Sequence, residues 1–435
     1  MTKSARKENA YSLLGYASQL GFAFLSFLVL IRLMPEHEFG VWVLFLTLTS
    51  FADMGRVGLI QNAVIKFALE QAEEYPKIAL SGLLLNTLCS LLLSMLLIGL
   101  AWPLSRLWSA PELWSLMWWY PGIALVHGTA RYIDFLHMVK RDFKGIFWSK
   151  SVYGLLNLLP LAVFWYQQSD ISLHQLAAIQ FWAGFPSLAF FLFYRRDYLS
   201  FGKYSRSWMR QIVHFGKYVL GTNFSSMFFN KVDILMVGTF LNPAAVALYN
   251  VATRITNYME VPMSGISQAV YPRLAAIYQE SDLKPLSQMY ERSVALLVAT
   301  LLPMALLVVL FAKPLVVLLA GENYAEAASI LNILVFAIMA KPWARLFGIT
   351  LDAIGKPRLN FTVLLGGLLF NIVLNAFLLN WLGIQGAAWA TFISIWAMAL
   401  VGQWLIQKII PVNHSNIFKH IVAYYKQPMM RVLTN

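Results

Sequence analysis

The chain is expected to fold as an all-α integral membrane protein of about twelve transmembrane helices in two six-helix lobes. The lobes are expected to be related by a parallel pseudo-two-fold along the membrane normal. Three observations carry this. Over 435 residues only 12% are charged and 59% are hydrophobic, at a mean hydropathy of +0.63; soluble domains carry about 25% charged residues. The apolar residues gather in runs that reach the roughly 20 residues a membrane helix needs. Lys and Arg collect on every second connection, and residue types recur between the two halves.

The runs fall in order. Span 10–33 follows Lys3, Arg6 and Lys7; it exceeds the roughly 7–15 apolar residues of a signal peptide, so it is read as an uncleaved helix. Span 39–65 opens after Pro35-Glu36-His37-Glu38. Spans 78–102 and 113–139 follow, and Lys140-Arg141-Asp142 closes the fourth. Spans 146–166 and 173–195 complete an N-lobe over 1–195. The basic, polar stretch 196–211 reads as a cytoplasmic interlobe linker. The C-lobe, 212–411, begins with spans 212–241 and 244–275, parted by Asn242-Pro243. Spans 288–312, 327–354, 358–381 and 385–410 follow, with Gly355-Lys356-Pro357-Arg358 between the tenth and eleventh. Residues 412–435 read as a cytoplasmic C-terminal tail.

The N-terminus, the even-numbered loops and the C-terminal end hold 23 Lys and Arg residues, the opposite side only Arg32, Arg106 and Lys313. By the positive-inside rule both termini are cytoplasmic in a plasma (inner) membrane. The formal charge of +13 is thus a topology signal, with anionic headgroups as its neighbours and no nucleic-acid partner. The external loops are short, which disfavours a membrane polymerase or glycosyltransferase. Cys89, the single cysteine, reads as a small buried hydrophobe.

Arg131, Lys144 and Asn157 recur 214 positions on as Arg345, Arg358 and Asn371, and Phe39-Gly40-Val41-Trp42 aligns with Val246-Ala247-Leu248-Tyr249 at an offset of 207. Parallel repeats of this kind characterise transporters whose site lies at the repeat interface.

Six basic residues lie in the middle of the spans, away from their ends: Arg56, Arg131, Lys231, Arg254, Lys341 and Arg345. Each costs roughly 2.5–3.5 kcal/mol at the bilayer centre on insertion scales. They are retained where they face a protein-lined or watery interior, and a basic interior suits an anionic cargo. Helical spacing groups them: His127, Arg131 and Asp134 share a face, as do Lys341, Arg345 and Gly348 with Asp352 following, and Asn250, Arg254 and Asn257. Arginine binds phosphate oxygens in bidentate fashion, so the six are candidate contacts for a pyrophosphate, led by the repeat-related Arg131 and Arg345. The competing reading is internal pairing, Arg56 with Asp53, Arg131 with Asp134 and Lys231 with Asp233. The embedded acids Asp53, Asp134, Asp233 and Glu260 are candidates for a coupling proton or Na⁺, Glu260 first. Pro262, Pro303 and Pro342 are candidate kinks.

No H-E-x-x-H, G-x-S-x-G, G-x-G-x-x-G or P-loop occurs. Catalysis, a metal and a cofactor are not expected, and the energy source is an ion gradient, the membrane potential or the cargo's own gradient.

Three segments carry a resemblance. The first is Ile31-Arg32-Leu33-Met34-Pro35-Glu36-His37-Glu38-Phe39-Gly40 with Phe51-Ala52-Asp53-Met54-Gly55. The second is Asn230-Lys231-Val232-Asp233-Ile234-Leu235-Met236-Val237-Gly238 with Leu248-Tyr249-Asn250-Val251-Ala252. The third is Gly355-Lys356-Pro357-Arg358-Leu359-Asn360 with Leu382-Gly383-Ile384-Gln385-Gly386-Ala387-Ala388. In this order and spacing the chain resembles the Wzx-type polysaccharide and O-antigen flippases of the multidrug/oligosaccharidyl-lipid/polysaccharide exporter superfamily. The resemblance implies two six-helix lobes flanking a cationic cavity. It also implies movement of undecaprenyl-pyrophosphate-linked oligosaccharide to the outer leaflet by alternating access. The implied partners are that lipid-linked substrate, membrane lipids and polysaccharide polymerase machinery. The alternative is a cation-coupled multidrug antiporter of the same superfamily; a membrane enzyme on the same lipid and an assembly scaffold are weaker rivals.

Overall fold

The structure is a computed structural model and describes residues 3–194, 202–279 and 283–426. The helices of the first half are α1 (Lys3–Leu33), α2 (Glu36–Glu70), α3 (Tyr75–Leu107), α4 (Glu112–Met117), α5 (Tyr120–Val139), α6 (Phe143–Tyr166) and α7 (Leu173–Tyr194). Then come α8 (Arg206–Phe240), α9 (Pro243–Gln279), α10 (Leu283–Leu310), α11 (Ala312–Ala320) and α12 (Ala327–Ile338). The last four are α13 (Lys341–Ala353), α14 (Pro357–Leu382), α15 (Ile384–Gln407) and α16 (His414–Lys426). No strand occurs among the described residues.

Among the described residues seven helices are long and apolar enough to cross a membrane, and the pair α12–α13, bent by 41°, brings the number to eight. Of the other expected spans, α5, α8 and α9 are interrupted by the charged and polar residues treated below.

Two expected spans are broken. The fourth, 113–139, ends as α4 and resumes as α5 with Pro121 in its first turn. The tenth, 327–354, breaks at Met339-Ala340, with Pro342 in the first turn of α13. Proline lacks the N–H that the first helical turn leaves unpaired, so it opens a helix at little cost. Pro262 and Pro303, by contrast, sit inside the continuous helices α9 and α10. The turn from α13 to α14 needs a left-handed residue: Gly355 has φ +75°. There Lys356 N bonds to Leu351 O at 2.8 Å, and Pro357 opens α14.

The chain divides into two compact units, 1–231 with 242–246, and 232–241 with 247–435. In the first unit α1 packs on α6, α2 on α3 and α5, and α7 on α5 and α6. Its core holds Ile60, Val64, Ile78, Tyr132, Leu136, Trp208 and Ile212. Of the expected linker 196–211, residues 196–201 lie outside the described part. From Gly202 the chain is pinned to this unit: Gly202 N donates to Pro76 O at 2.9 Å, and Trp208 Nε1 donates to Glu74 Oε2 at 3.2 Å. In the second unit α15 packs on α12, α13 and α14, and α16 on α10. Ala337, Ala340 and Ala399 pack with Ile395 there, and the small alanines let the helices approach closely. Of the expected tail, 427–435 lies outside the described residues, and 412–426 carries α16.

Candidate functional site

Among the described residues the embedded polar groups form one cluster in the first unit and two in the second. In the first unit Arg56 of α2 is 2% exposed. Its Nη2 pairs with Asp53 Oδ1 at 2.9 Å. Its Nη1 donates to Asn86 Oδ1 at 2.7 Å and to Gly128 O at 3.1 Å. A Cβ on Gly128 would stand 2.8 Å from that Nη1, so the missing side chain is what admits the guanidinium. Arg56 thus ties α2 to α3 and α5, and its expected pairing with Asp53 is formed.

The other members lie on α5 and α6. Arg131 is exposed, and among the described residues no ion pair or hydrogen bond holds its guanidinium. Asp134 Oδ1 is buried without a hydrogen-bond partner, and Lys150 and Arg131 act on it electrostatically. Lys150 is a half-buried residue of α6. His127 Nε2 lies 2.8 Å from Gln180 O of α7, and its ring meets Tyr153 edge-on.

In the second unit the first cluster surrounds Asp233 of α8, which is 9% exposed. Asn375 Nδ2 of α14 donates to its Oδ1 at 2.8 Å. Thr391 Oγ1 of α15 lies 2.7 Å from its Oδ2, and Tyr249 OH of α9 lies 3.2 Å from the same oxygen. Asn375 Nδ2 also reaches Asn371 Oδ1 at 3.1 Å, and Asn375 Oδ1 is buried without a partner. A spacing of two places Lys231 and Asp233 on different faces of α8, and neutral donors from three other helices hold the carboxylate instead.

The second cluster joins α9 to α13. Lys341 Nζ pairs with Glu260 Oε1, and Arg345 Nη2 donates to Ser264 Oγ at 3.1 Å. Both partners are four residues apart on both helices, so the two contacts form successive rungs. Lys231 and Arg254 are half-buried on α8 and α9. Asp352 is exposed and accepts from Asn360 Nδ2 at 3.1 Å.

Sequence reasoning missed Asn86, Lys150, Ser264, Tyr249, Asn375 and Thr391. A signal existed for two of these: Asn375 lies four residues after Asn371 in an apolar span, and Asn86 is the single amide of α3; uncharged amides in such runs seek a buried partner.

The chain superposes on the lipid II flippase MurJ in an inward closed conformation with a TM-score of 0.72, at 14% identity over 98% of this chain and 93% of that one. It superposes on an inward-facing multidrug resistance MATE family transporter of the MOP superfamily with a TM-score of 0.71, at 18% identity over 96% and 99%. The chain therefore has the all-α fold that these two membrane transporters share. A family model described as "Polysaccharide biosynthesis protein" matches residues 29–329, and the chain belongs to that family.

An uncharacterized membrane protein of Methanocaldococcus jannaschii is 26% identical over 208 residues, 48% of this chain and 41% of that protein. The probable low-salt glycan biosynthesis flippase Agl15 of Haloferax volcanii is 21% identical over 185 residues, 42% and 39%. The putative O-antigen transporter of Shigella flexneri is 24% identical over 207 residues, 47% and 49%. The chain spans less than half the length of each of these relatives. Those with a named activity are transporters and flippases, not enzymes.

Proposed function

We propose that the protein is a flippase that moves an undecaprenyl-pyrophosphate-linked oligosaccharide from the inner to the outer leaflet by alternating access, for O-antigen or other surface polysaccharide assembly. It would sit in the inner membrane with both termini cytoplasmic, and polysaccharide polymerase machinery would receive its product. The observation that carries the reading is the state of the two repeat-related arginines. Arg56 is committed to three protein acceptors and Lys341 to Glu260. The Arg345 guanidinium, by contrast, reaches a serine hydroxyl, and Arg131 is exposed. Guanidinium donors left over in a membrane interior suit phosphate oxygens. Family membership and the flippase and O-antigen transporter names of the relatives support the same substrate class. Lys231 and Arg254 complete the basic set.

Coupling falls best on Asp233. Its charge is met by hydroxyl and amide groups rather than by a lysine or arginine in contact. The hydroxyl oxygens of Thr391 and Tyr249 stand against one carboxylate oxygen, and with the carboxylate they make an oxygen set that suits a hard cation. Glu260, the first expectation, is instead paired with Lys341. Asp53 is bound to Arg56, and Asp134, with its buried unpaired oxygen, is the first unit's counterpart as a proton carrier.

The test is leaflet translocation of a lipid-pyrophosphate oligosaccharide in proteoliposomes, wild type against Arg131→Ala/Arg345→Ala. Loss of transport with unchanged thermal unfolding supports the reading, and unchanged transport demotes both arginines. Absence of lipid transport by the wild type together with efflux of a cationic dye would favour the drug antiporter.

A further inference from the structure

The helix α16 is not a free tail. It starts at His414, just after Pro411, and its first turn is seated on a buried carboxylate of α10. Glu291, 2% exposed, accepts from Asn413 N at 2.6 Å and from Asn416 Nδ2 at 3.1 Å. Ser287 Oγ lies 2.7 Å from Pro411 O. A carboxylate is favoured at a helix N-terminus, where N–H groups are unpaired and the dipole is positive. Further along, Ile417 is 1% exposed, Tyr424 OH donates to Arg292 O at 3.2 Å, and Tyr425 OH donates to Ala299 O at 2.6 Å. The helix therefore climbs along α10 from its first turn toward the apolar part of that span.

Its other face is apolar and uncovered by the described chain. Phe418, Val422 and Tyr425 are 63%, 52% and 53% exposed. Their spacing of four and then three makes one stripe. Lys419 and Lys426 are exposed and, seven residues apart, flank it on one side. The end of α15 fixes the level at which this stripe lies. There Leu400, Val401 and Trp404 are exposed, and Lys408 Nζ rests 3.3 Å from the Trp404 ring centroid. A tryptophan capped by a lysine marks the border between acyl chains and headgroups, and α16 begins six residues beyond that lysine. An amphipathic helix at that depth, with an apolar stripe edged by lysines, has the make-up of an interfacial helix.

We propose that α16 is a membrane-interface anchor: Phe418, Val422 and Tyr425 enter the acyl border, and Lys419 and Lys426 bind the anionic phosphate headgroups of the leaflet at that end. Glu291 acts as the latch that aims the stripe by holding the first turn on α10. With the orientation proposed above, the leaflet is the cytoplasmic one. The anchor requires no cargo and stands whether or not the transport reading does.

The test places a nitroxide at single cysteines in the full-length Cys89→Ala protein, in bilayers with and without phosphatidylglycerol in a phosphatidylcholine background. Val422→Cys samples the stripe; Ser415→Cys and Ala423→Cys sample its polar border. The expected result is a label at 422 that is more accessible to oxygen than to a water-soluble nickel chelate, with the opposite order at 415 and 423. Phosphatidylglycerol is expected to deepen the 422 label, and Lys419→Gln/Lys426→Gln to remove that difference. Equal nickel access at all three positions overturns the proposal. So does a 422 label immobilised and spin-coupled to a second copy, which would make the stripe a protein interface. Failure of lipid-oligosaccharide transport with the label still buried overturns only the flippase reading.

Discussion

Lys341 of α13 and Glu260 of α9 form an ion pair one helical turn from the Arg345–Ser264 hydrogen bond. The two rungs have different energetics. The ion pair joins side chains 25% and 22% exposed, so removing one partner strands the other in a half-dry setting. Lys341→Met or Glu260→Gln alone is expected to cost ~2 kcal/mol, less than the roughly 3–5 kcal/mol of a fully buried pair. The double variant is expected to cost less than the sum by ~1 kcal/mol. Thermal unfolding in detergent checks this; strict additivity would mean that the pair carries no coupling energy.

Asp233→Asn separates charge from shape. The side chain keeps its size, and a desolvated charge disappears from a site where, among the described residues, no lysine or arginine contacts it. The unfolding temperature is expected to hold or rise, while the ion dependence of transport is lost. Thr391→Val removes the donor at 2.7 Å but leaves the carboxylate buried, and is expected to cost ~1–2 kcal/mol. Unfolding scans with and without added Na⁺ read both: a Na⁺-induced stabilisation present in the wild type and absent in Asp233→Asn is the expected pattern. The same stabilisation in both proteins would remove Asp233 from the coupling role.

Much of the architecture is legible in the sequence because membrane burial writes itself as long apolar runs and charge asymmetry. The runs 10–33, 39–65 and 358–381 emerge inside α1, α2 and α14. What one-dimensional spacing misses are contacts made across helices. Asp53 and Arg56, three apart on one face, do pair. Arg131 and Asp134 have the same spacing, yet among the described residues no ion pair joins them: Arg131 is exposed, and Lys150 of α6 acts on Asp134 electrostatically as well. Glu260 looks isolated in the sequence because its partner lies 81 residues away. The breaks ahead of Pro121 and Pro342 were visible as prolines, but whether a proline kinks a helix or opens one depends on packing.

Gly128 is a residue whose role no sequence pattern revealed. A methyl group there would meet Arg56 Nη1 at 2.8 Å and Ser90 Oγ at 3.1 Å. Because that guanidinium is held on Asp53 and Asn86, it has little room to yield. Gly128→Ala is expected to lose ~1–3 kcal/mol by overpacking, and also the hydrogen bond from Arg56 to the carbonyl of residue 128. Detergent-extracted yield and the unfolding midpoint check it. Gly99→Ala, where an added Cβ meets nothing within 4 Å, is the control expected to leave both unchanged.

The docking of α16 is expected to weaken in acid through His420. This residue is half-buried on the α10-facing side of the helix. Burial, and then the Arg292 guanidinium, lower its pKa from the usual value, with Glu291 acting in the opposite sense. A lowered pKa in the docked state means that protonation disfavours docking. The stabilisation is therefore present above the ordinary histidine range, about 6.5, and is lost as pH falls through the lowered value. Hydrogen exchange of the α16 amides is expected to quicken between about pH 7.5 and about pH 5, after correction for intrinsic rates, while α2 and α3 keep their protection. His420→Gln is expected to flatten that response. If acid instead slows exchange in α16, the attraction of Glu291 for the protonated ring outweighs burial. A response that persists unchanged in His420→Gln would remove His420 from this role.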